Sequence, residues 1–418
     1  MGSVRLSAGA VVTCDGASTI HRPGYVELDE GRITDVGRGE GGERLPGLLM
    51  PGLVNVHCHS PMTLFRGAAE DVPLMVFLRE ILWPREARLT DDDAYWGMTL
   101  ACAELLRAGV TTSCEMYVHE EGLLRAVLDA RTRCVLTPGV IEVPGWMTWA
   151  ERLDAVLAFH DAHRGRHDRV EVGIAAHAAY TLPPEALTSI AAAARDRDAL
   201  VHIHVGETRE EAEHAALLGT LGFFDDARVL AAHCVWLSDA DLALFREHDV
   251  AIAHCPQSNA KLAAGIARLT DMLELGLRVG LGTDGPSSNN DLGLWDELRL
   301  APLLARLRSE DAAAVPAPTA LRLATAGGAS ALGLDVGVLE AGRHADLVHV
   351  RTDDPAFAPV LEDADLLSHL VWSASPALVE DVWVGGERVV TRGACTTVDE
   401  ERARSEVQAR AERLARGG

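Results

Sequence analysis

Pro51-Gly52-Leu53-Val54-Asn55-Val56-His57-Cys58-His59 decides how the rest of the chain is read. Pro-Gly opens an apolar run that ends in two histidines one residue apart. On a β-strand, side chains alternate between faces, so His57 and His59 point the same way from its C-terminal end. Two imidazoles so placed can chelate one metal ion. With 17 His in 418 residues, roughly 0.7 His-x-His pairs arise by chance, and His202-Ile203-His204 is a second one. The pair therefore gains its meaning from the residues downstream of it.

Downstream, the chain repeats a strand–helix rhythm. Beyond the opening run, β-like stretches recur at 110–117, 134–137, 170–176, 200–205, 229–233, 250–253 and 278–284. Helical patterns fall between them. One runs from Thr90, with Thr as N-cap and an acid at the third position, to a stop at Gly109. Eight strands alternating with helices over residues 51–335 suit an α/β protein built as a (β/α)8 TIM-type barrel. A doubly wound parallel sheet has the same rhythm and stays open on periodicity alone.

The flanks read differently. Residues 1–50 alternate short β-like runs with Gly-rich turns, including a hairpin at Asp29-Glu30-Gly31. From 336 the pattern returns to short strands, with Gly385-Gly386 as a second hairpin signal. Together, 1–50 and 336–418 are expected to form one small β-sandwich domain from both chain termini. The charged, Ala-rich stretch from Glu400 is expected as a surface helix that frays.

Composition narrows the partners. A net charge of −24 excludes nucleic-acid polymers and anionic membranes, which would be repelled. The eight cysteines are scattered without a Cys-x-x-Cys pair, as in a cytoplasmic protein with reduced thiols. No signal-peptide pattern opens the sequence, and the uncharged run 45–65 holds too many Pro, Gly and His for a membrane span.

Polar residues stand at the ends of separate predicted strands: His57 and His59 on the first, His204 on the fifth, His233 on the sixth, Asp284 on the eighth. That end of a barrel is where active sites sit. Imidazoles with one carboxylate suit Zn2+, with Fe2+ or Mn2+ as alternatives. Glu207, three residues past His204, lies beyond the strand tip, where a proton shuttle beside a metal is needed.

These motifs, His57-Cys-His59, His204-Val-Gly-Glu207, Ala231-Ala-His233-Cys and Gly282-Thr-Asp284-Gly, together resemble the amidohydrolase superfamily. Pro61-Met-Thr-Leu-Phe-Arg-Gly67, Leu82-Trp-Pro-Arg-Glu86, His254-Cys-Pro-Gln-Ser-Asn259 and Thr283-Asp-Gly-Pro-Ser-Ser-Asn289 are similar to its S-adenosylhomocysteine/5′-methylthioadenosine deaminase and chlorohydrolase branch. The resemblance implies one divalent metal ion held by His57, His59, His204 and Asp284, with His233 beside it as an acid/base group. It implies Glu207 facing the purine N1, Glu86 the ribose hydroxyls after Trp83, and His177 the far edge of the base. It also implies a homo-oligomer, dimer or tetramer, acting on a small nucleoside. The chain departs from the pattern at Thr137-Pro138-Gly139, where Thr-Arg-Gly is expected in homocysteine-binding members. Arg152 remains as a partner for a carboxylate on the 5′ substituent. The implied activity is hydrolytic deamination of an adenosine-type nucleoside modified at 5′. Deamination of a free purine or pterin base, or dechlorination of a triazine, competes with it.

Overall fold

The computed structural model describes residues 3–68 and 70–416. Eight parallel strand positions form the centre: Leu53–Cys58, Val110–Tyr117, Arg133–Val140, Val170–Val172 with Ile174–Ala178, Leu200–Val205, Arg228–His233, Ala251–His254 and Val279–Leu281. Each pairs with the next in chain order. A parallel bridge between Cys58 and Asp284 brings the last strand back to the first, so the sheet is a TIM-type barrel. The rhythm of the sequence thus resolves as a barrel, not as an open doubly wound sheet.

The close approach that closes the ring depends on Gly282. A Cβ there would lie 2.9 Å from the His57 carbonyl oxygen, so no larger residue fits without movement. The fourth strand, expected unbroken over 170–176, is split at Gly173. A Cβ at that position would stand 2.6 Å from the Leu200 carbonyl oxygen. The third strand runs farther than expected and carries Pro138 and Gly139 to its end.

Helices begin where the sequence offers a cap. Thr90 accepts from the Asp93 amide while the Asp93 carboxylate accepts from the Thr90 amide at 2.9 Å, opening the helix Asp91–Arg107. Thr148 with Glu151 and Ser238 with Asp241 repeat the device. Among the described residues, no helix is long and apolar enough to cross a membrane.

The termini make one hydrogen-bonded mixed sheet of nine strands. Glu43–Pro51 is its seam, parallel to Val4–Val12 on one side and antiparallel to Leu347–Val350 on the other. Gly385 and Gly386, both at positive φ, form the two-residue turn between Val379–Val384 and Glu387–Thr391. The last helix, Glu400–Arg416, lies not on this sheet but on the barrel. Val407 and Leu414 join the apolar cluster around Ala94 and Met98, and Arg410 and Arg413 pair with Asp92 and Asp93. Its charged sequence reads as a free surface helix because the acids it meets lie some three hundred residues away.

Arg133, on the third barrel strand, clamps barrel to sheet. Its Nε and Nη2 donate to the two carboxylate oxygens of Asp346 at 2.7 and 3.1 Å, with side chains 6% and 1% exposed. Asp346 also accepts from the Gly385 amide. Removing one partner of a buried pair costs about 3–5 kcal/mol, because the other charge stays buried and alone. Arg133→Met is therefore expected to lower the unfolding free energy by about 3 kcal/mol in urea titration, with Arg133→Met/Asp346→Leu recovering much of the loss. An unchanged urea midpoint in the single variant would mean that the pair does not clamp the two parts together.

Candidate active site

The site is built from the strand ends inward. Three imidazoles are oriented from behind by hydrogen bonds to Nδ1. His204 Nδ1 meets the His177 carbonyl at 2.7 Å, and His59 Nδ1 meets the Met116 carbonyl. A carbonyl only accepts, so both rings carry hydrogen on Nδ1 and a lone pair on Nε2.

For His57 two more residues lead to the same state. Thr137 Oγ1 donates its one hydrogen to the Glu115 carbonyl at 2.8 Å, so toward His202 Nδ1, 3.0 Å away, it accepts. His202 then carries hydrogen on Nδ1 and a lone pair on Nε2. That lone pair accepts from His57 Nδ1 at 2.8 Å, which leaves His57 Nε2 free to ligate. His57 Nε2 is buried and without a hydrogen-bond partner.

These nitrogens converge. His59 Nε2 and His57 Nε2 lie 3.3 and 3.6 Å from Asp284 Oδ1, and His204 Nε2 lies 3.4 Å from His59 Nε2. His233 is close enough to share a cluster with His57 and His204, ligand atoms within 4.8 Å. Asp284 is fixed through its other oxygen, which accepts from Ser258 at 2.6 Å and Ser288 at 2.7 Å. Its backbone sits at φ +61, and that of His233 at φ +70, conformations a non-glycine residue adopts only when its surroundings hold it there.

Burial sets the charge states. It pushes His57 down to about 3 and holds His202 and His204 well below the ordinary imidazole value. Burial alone would raise Asp284. His57, close beside it, and the other surrounding imidazoles outweigh it, so the carboxylate stays well below its usual range. The result is neutral imidazoles around one ionised carboxylate, a donor set suited to a divalent ion.

Two carboxyl groups behave oppositely. Burial raises Glu207 to about 7, against the pull of His233. Burial likewise raises Glu86 to about 7, although Tyr117 donates to its Oε1 at 2.7 Å. His233 lies 3.9 Å from Glu207, and its Nδ1 is held by Asn259 Oδ1 at 2.9 Å. Burial disfavours charge on His233, yet Glu207 and Asp284 keep its pKa above the usual value.

One cavity gathers these groups. His59, His204, His233, Asp284, Glu207, Glu86, His177 and Trp83 line it, with His57 buried behind them. Trp83 and Glu86 arrive there on the helical segment 74–86. A π-helical stretch, Phe77–Leu82, widens its turns. The wider turn keeps Leu74, Leu78, Leu82 and Glu86, spaced four apart, on the cavity side.

Arg152 does not line the cavity. Its Nη1 and Nη2 donate to Glu120 at 3.0 and 2.9 Å and its Nε to the Gly139 carbonyl, so it braces the third strand's end instead. Several working residues do not stand out in the sequence: His202, Tyr117, Asn259 as the holder of His233, and the two serines on Asp284. For His202 a signal exists. The alternation that pairs His57 with His59 puts His202 on the same face as His204, one pleat deeper.

Comparison with known proteins agrees with this geometry. Residues 48–389 match the model of the Amidohydrolase family. A 5-methylthioadenosine/S-adenosylhomocysteine deaminase of Pelotomaculum thermopropionicum is 40% identical over 99% of each chain. A 5′-deoxyadenosine deaminase of Methanothermobacter thermautotrophicus is 38% identical, covering 91% of this chain and 92% of that one. Among solved structures, an adenosine deaminase of Xanthomonas campestris with bound zinc superposes with a TM-score of 0.93 at 32% identity, over 99% of this chain and 98% of that one. An atrazine chlorohydrolase of Arthrobacter aurescens reaches a TM-score of 0.88 at 24% identity, over 98% of this chain and all of that one, a likeness of fold. With barrel, strand-end ligands and full-length similarity in agreement, this chain belongs to the amidohydrolase family.

Proposed function

We propose that the chain is a metal-dependent hydrolytic deaminase of adenosine-type nucleosides modified at 5′, releasing ammonia and the inosine analogue. Glu86 carries this reading: a carboxylate only 8% exposed, anchored by Tyr117 in the same cavity as the histidine cluster. Two acceptor oxygens suit two vicinal hydroxyls. A free base or a triazine has no ribose, so neither competing substrate uses this group. The names of the relatives support the same choice.

His57, His59, His204 and Asp284 would hold one divalent ion, Zn2+ before Fe2+ or Mn2+. When bound, such an ion polarises water and supplies a nucleophile near neutral pH. The chain's own groups manage the protons. Glu207, raised to about 7 by burial, exchanges between its protonated and ionised forms near neutrality and in its protonated form delivers a proton to purine N1. His233, fixed by Asn259 and flanked by Glu207 and Asp284, receives the proton that attack on C6 releases. His177 meets the far edge of the base, and Trp83 and Leu82 line the same cavity. His233 then gives that proton to the departing amino group, so collapse of the tetrahedral carbon forms the C6 carbonyl and expels ammonia.

Elemental analysis is expected to find about one divalent ion per chain. Chelation should abolish ammonia release and Zn2+ should restore it. Two tightly held ions, both needed for turnover, would contradict the single donor set.

Glu207→Gln is expected to keep its metal and lose about 10²–10⁴ in kcat, since an amide cannot carry the proton. Near-normal turnover at verified metal content would assign the shuttle to another residue.

For Glu86→Ala, loss of the ribose contact at about 1–3 kcal/mol predicts a fall in kcat/KM of about five- to over a hundredfold on a ribonucleoside. The fall should be much smaller on the 2′,3′-dideoxy analogue. Equal losses on both substrates would refute the ribose contact and favour free bases.

A further inference from the structure

Glu297 lies on the helix that follows the last barrel strand, Leu294–Ser309, fully buried and outside the cavity lining. Among the described residues no cation pairs with it. Burial pushes its carboxyl well above the usual carboxylate value, and the charged groups in its field, Asp291 and Asp284, are both negative. A buried carboxyl without a cation costs stability, and an apolar side chain of the same size would fill the space at lower cost. Packing alone does not account for it.

Its two oxygens reach two different connections. Oε2 accepts from the Gln257 amide at 2.9 Å, and Oε1 accepts from Asn289 Nδ2 at 2.9 Å. Gln257 stands in the first turn of the short helix Pro256–Lys261, after the seventh strand. The next two residues of that helix hold reacting groups. Ser258 Oγ donates to Asp284 Oδ2 at 2.6 Å, and Asn259 Oδ1 accepts from His233 Nδ1 at 2.9 Å. Asn289 follows the eighth strand. Its Nδ2 also donates to the carbonyl of Thr283, the residue before Asp284, at 2.8 Å. Gln257 Nε2 adds a bond to the Asn289 carbonyl at 3.4 Å. One carboxyl thus joins the segment that holds His233 to the segment that carries Asp284. Both of those residues sit at positive φ, a conformation that persists only where the surroundings over-determine it.

We propose that Glu297 is a positioning residue, which sets Asp284 and His233 relative to one another by clamping the connections after the seventh and eighth strands. It touches neither substrate nor metal. The inference rests on the deaminase reading for the work of His233, and on the donor set for that of Asp284.

The test uses Glu297→Met, Glu297→Gln, Asn289→Ala and the double variant Glu297→Met/Asn289→Ala, each checked for folding by circular dichroism. Two quantities are read: Zn2+ affinity by chelator competition, and kcat and KM for ammonia release from adenosine and 5′-methylthioadenosine. Glu297→Met is expected to lose about ten- to a hundredfold in kcat and in Zn2+ affinity, the range for groups that stand behind metal ligands. KM should change little, because Glu297 lies outside the cavity. Glu297→Gln, which keeps one acceptor oxygen, should recover at least part of the loss. Asn289→Ala should lose by a similar factor, and the double variant little more than the larger single loss, because both changes cut one tie. Wild-type kcat and Zn2+ affinity in folded Glu297→Met, or losses that multiply in the double variant, overturn the assignment. Where Glu297→Met does not fold, Asn289→Ala decides: wild-type kcat and affinity there overturn it as well. Wild type that releases no ammonia from either nucleoside overturns the deaminase reading, while the Zn2+ affinities still decide the role of Glu297.

Discussion

The hydrogen bond from the Asp284 amide to the His57 carbonyl, 3.0 Å long, joins the last strand to the first and makes the site one object. Before that closure, the His57-His59 pair and Asp284 belong to opposite ends of a sheet. After it, their ligand atoms share one small volume. The join is narrow. It needs Gly282 against His57, and it drives Asp284 into a left-handed backbone conformation. A barrel satisfies every interior strand edge, so the strain at its seam is carried by the hydrogen bonding of the whole ring.

The same burial that costs stability prepares the imidazoles that could hold a metal ion. Desolvation keeps His57, His202 and His204 neutral, so no proton competes for their lone pairs near pH 7. Tautomer is then fixed by what lies behind each ring: two carbonyls, and for His57 the relay of His202 and Thr137. Neighbouring backbone from the second and fourth strands does this work, so the ligand geometry is set by strand register and not by mobile loops. Glu207 sits just past that rigid frame, where burial and nearby His233 oppose each other and leave its carboxyl able to change state.

The legible part of the sequence rests on periodicity. Strand alternation places paired histidines on one face, and the spacing of strands places them at one end of a barrel. Both are local rules applied to long regular elements. Groups whose roles depend on distant partners escape them. Arg152 reads as a free cation near the third strand, because nothing local reveals that Glu120 occupies it. Tyr117 reads as an inward strand residue until Glu86 arrives on a helix containing a π-turn. The final helix reads as solvated until Asp92 and Asp93 are seen to receive its arginines. The break at Gly173 is likewise a matter of Leu200 pressing from the next strand.

This division separates two kinds of specificity. The reacting centre hangs from backbone amides and carbonyls of neighbouring strands, and a side-chain change there meets the packing of the whole ring. Glu86 and Trp83 come from the connection after the first strand, and Trp146 from the one after the third. Those segments touch the frame through few hydrogen bonds, Tyr117 to Glu86 being the main one. Under the proposed function, substitution in them changes what is held and leaves the reacting centre as it is. In the proposed reading the strand ends carry the hydrolytic chemistry, while the connections above them select what is presented to it.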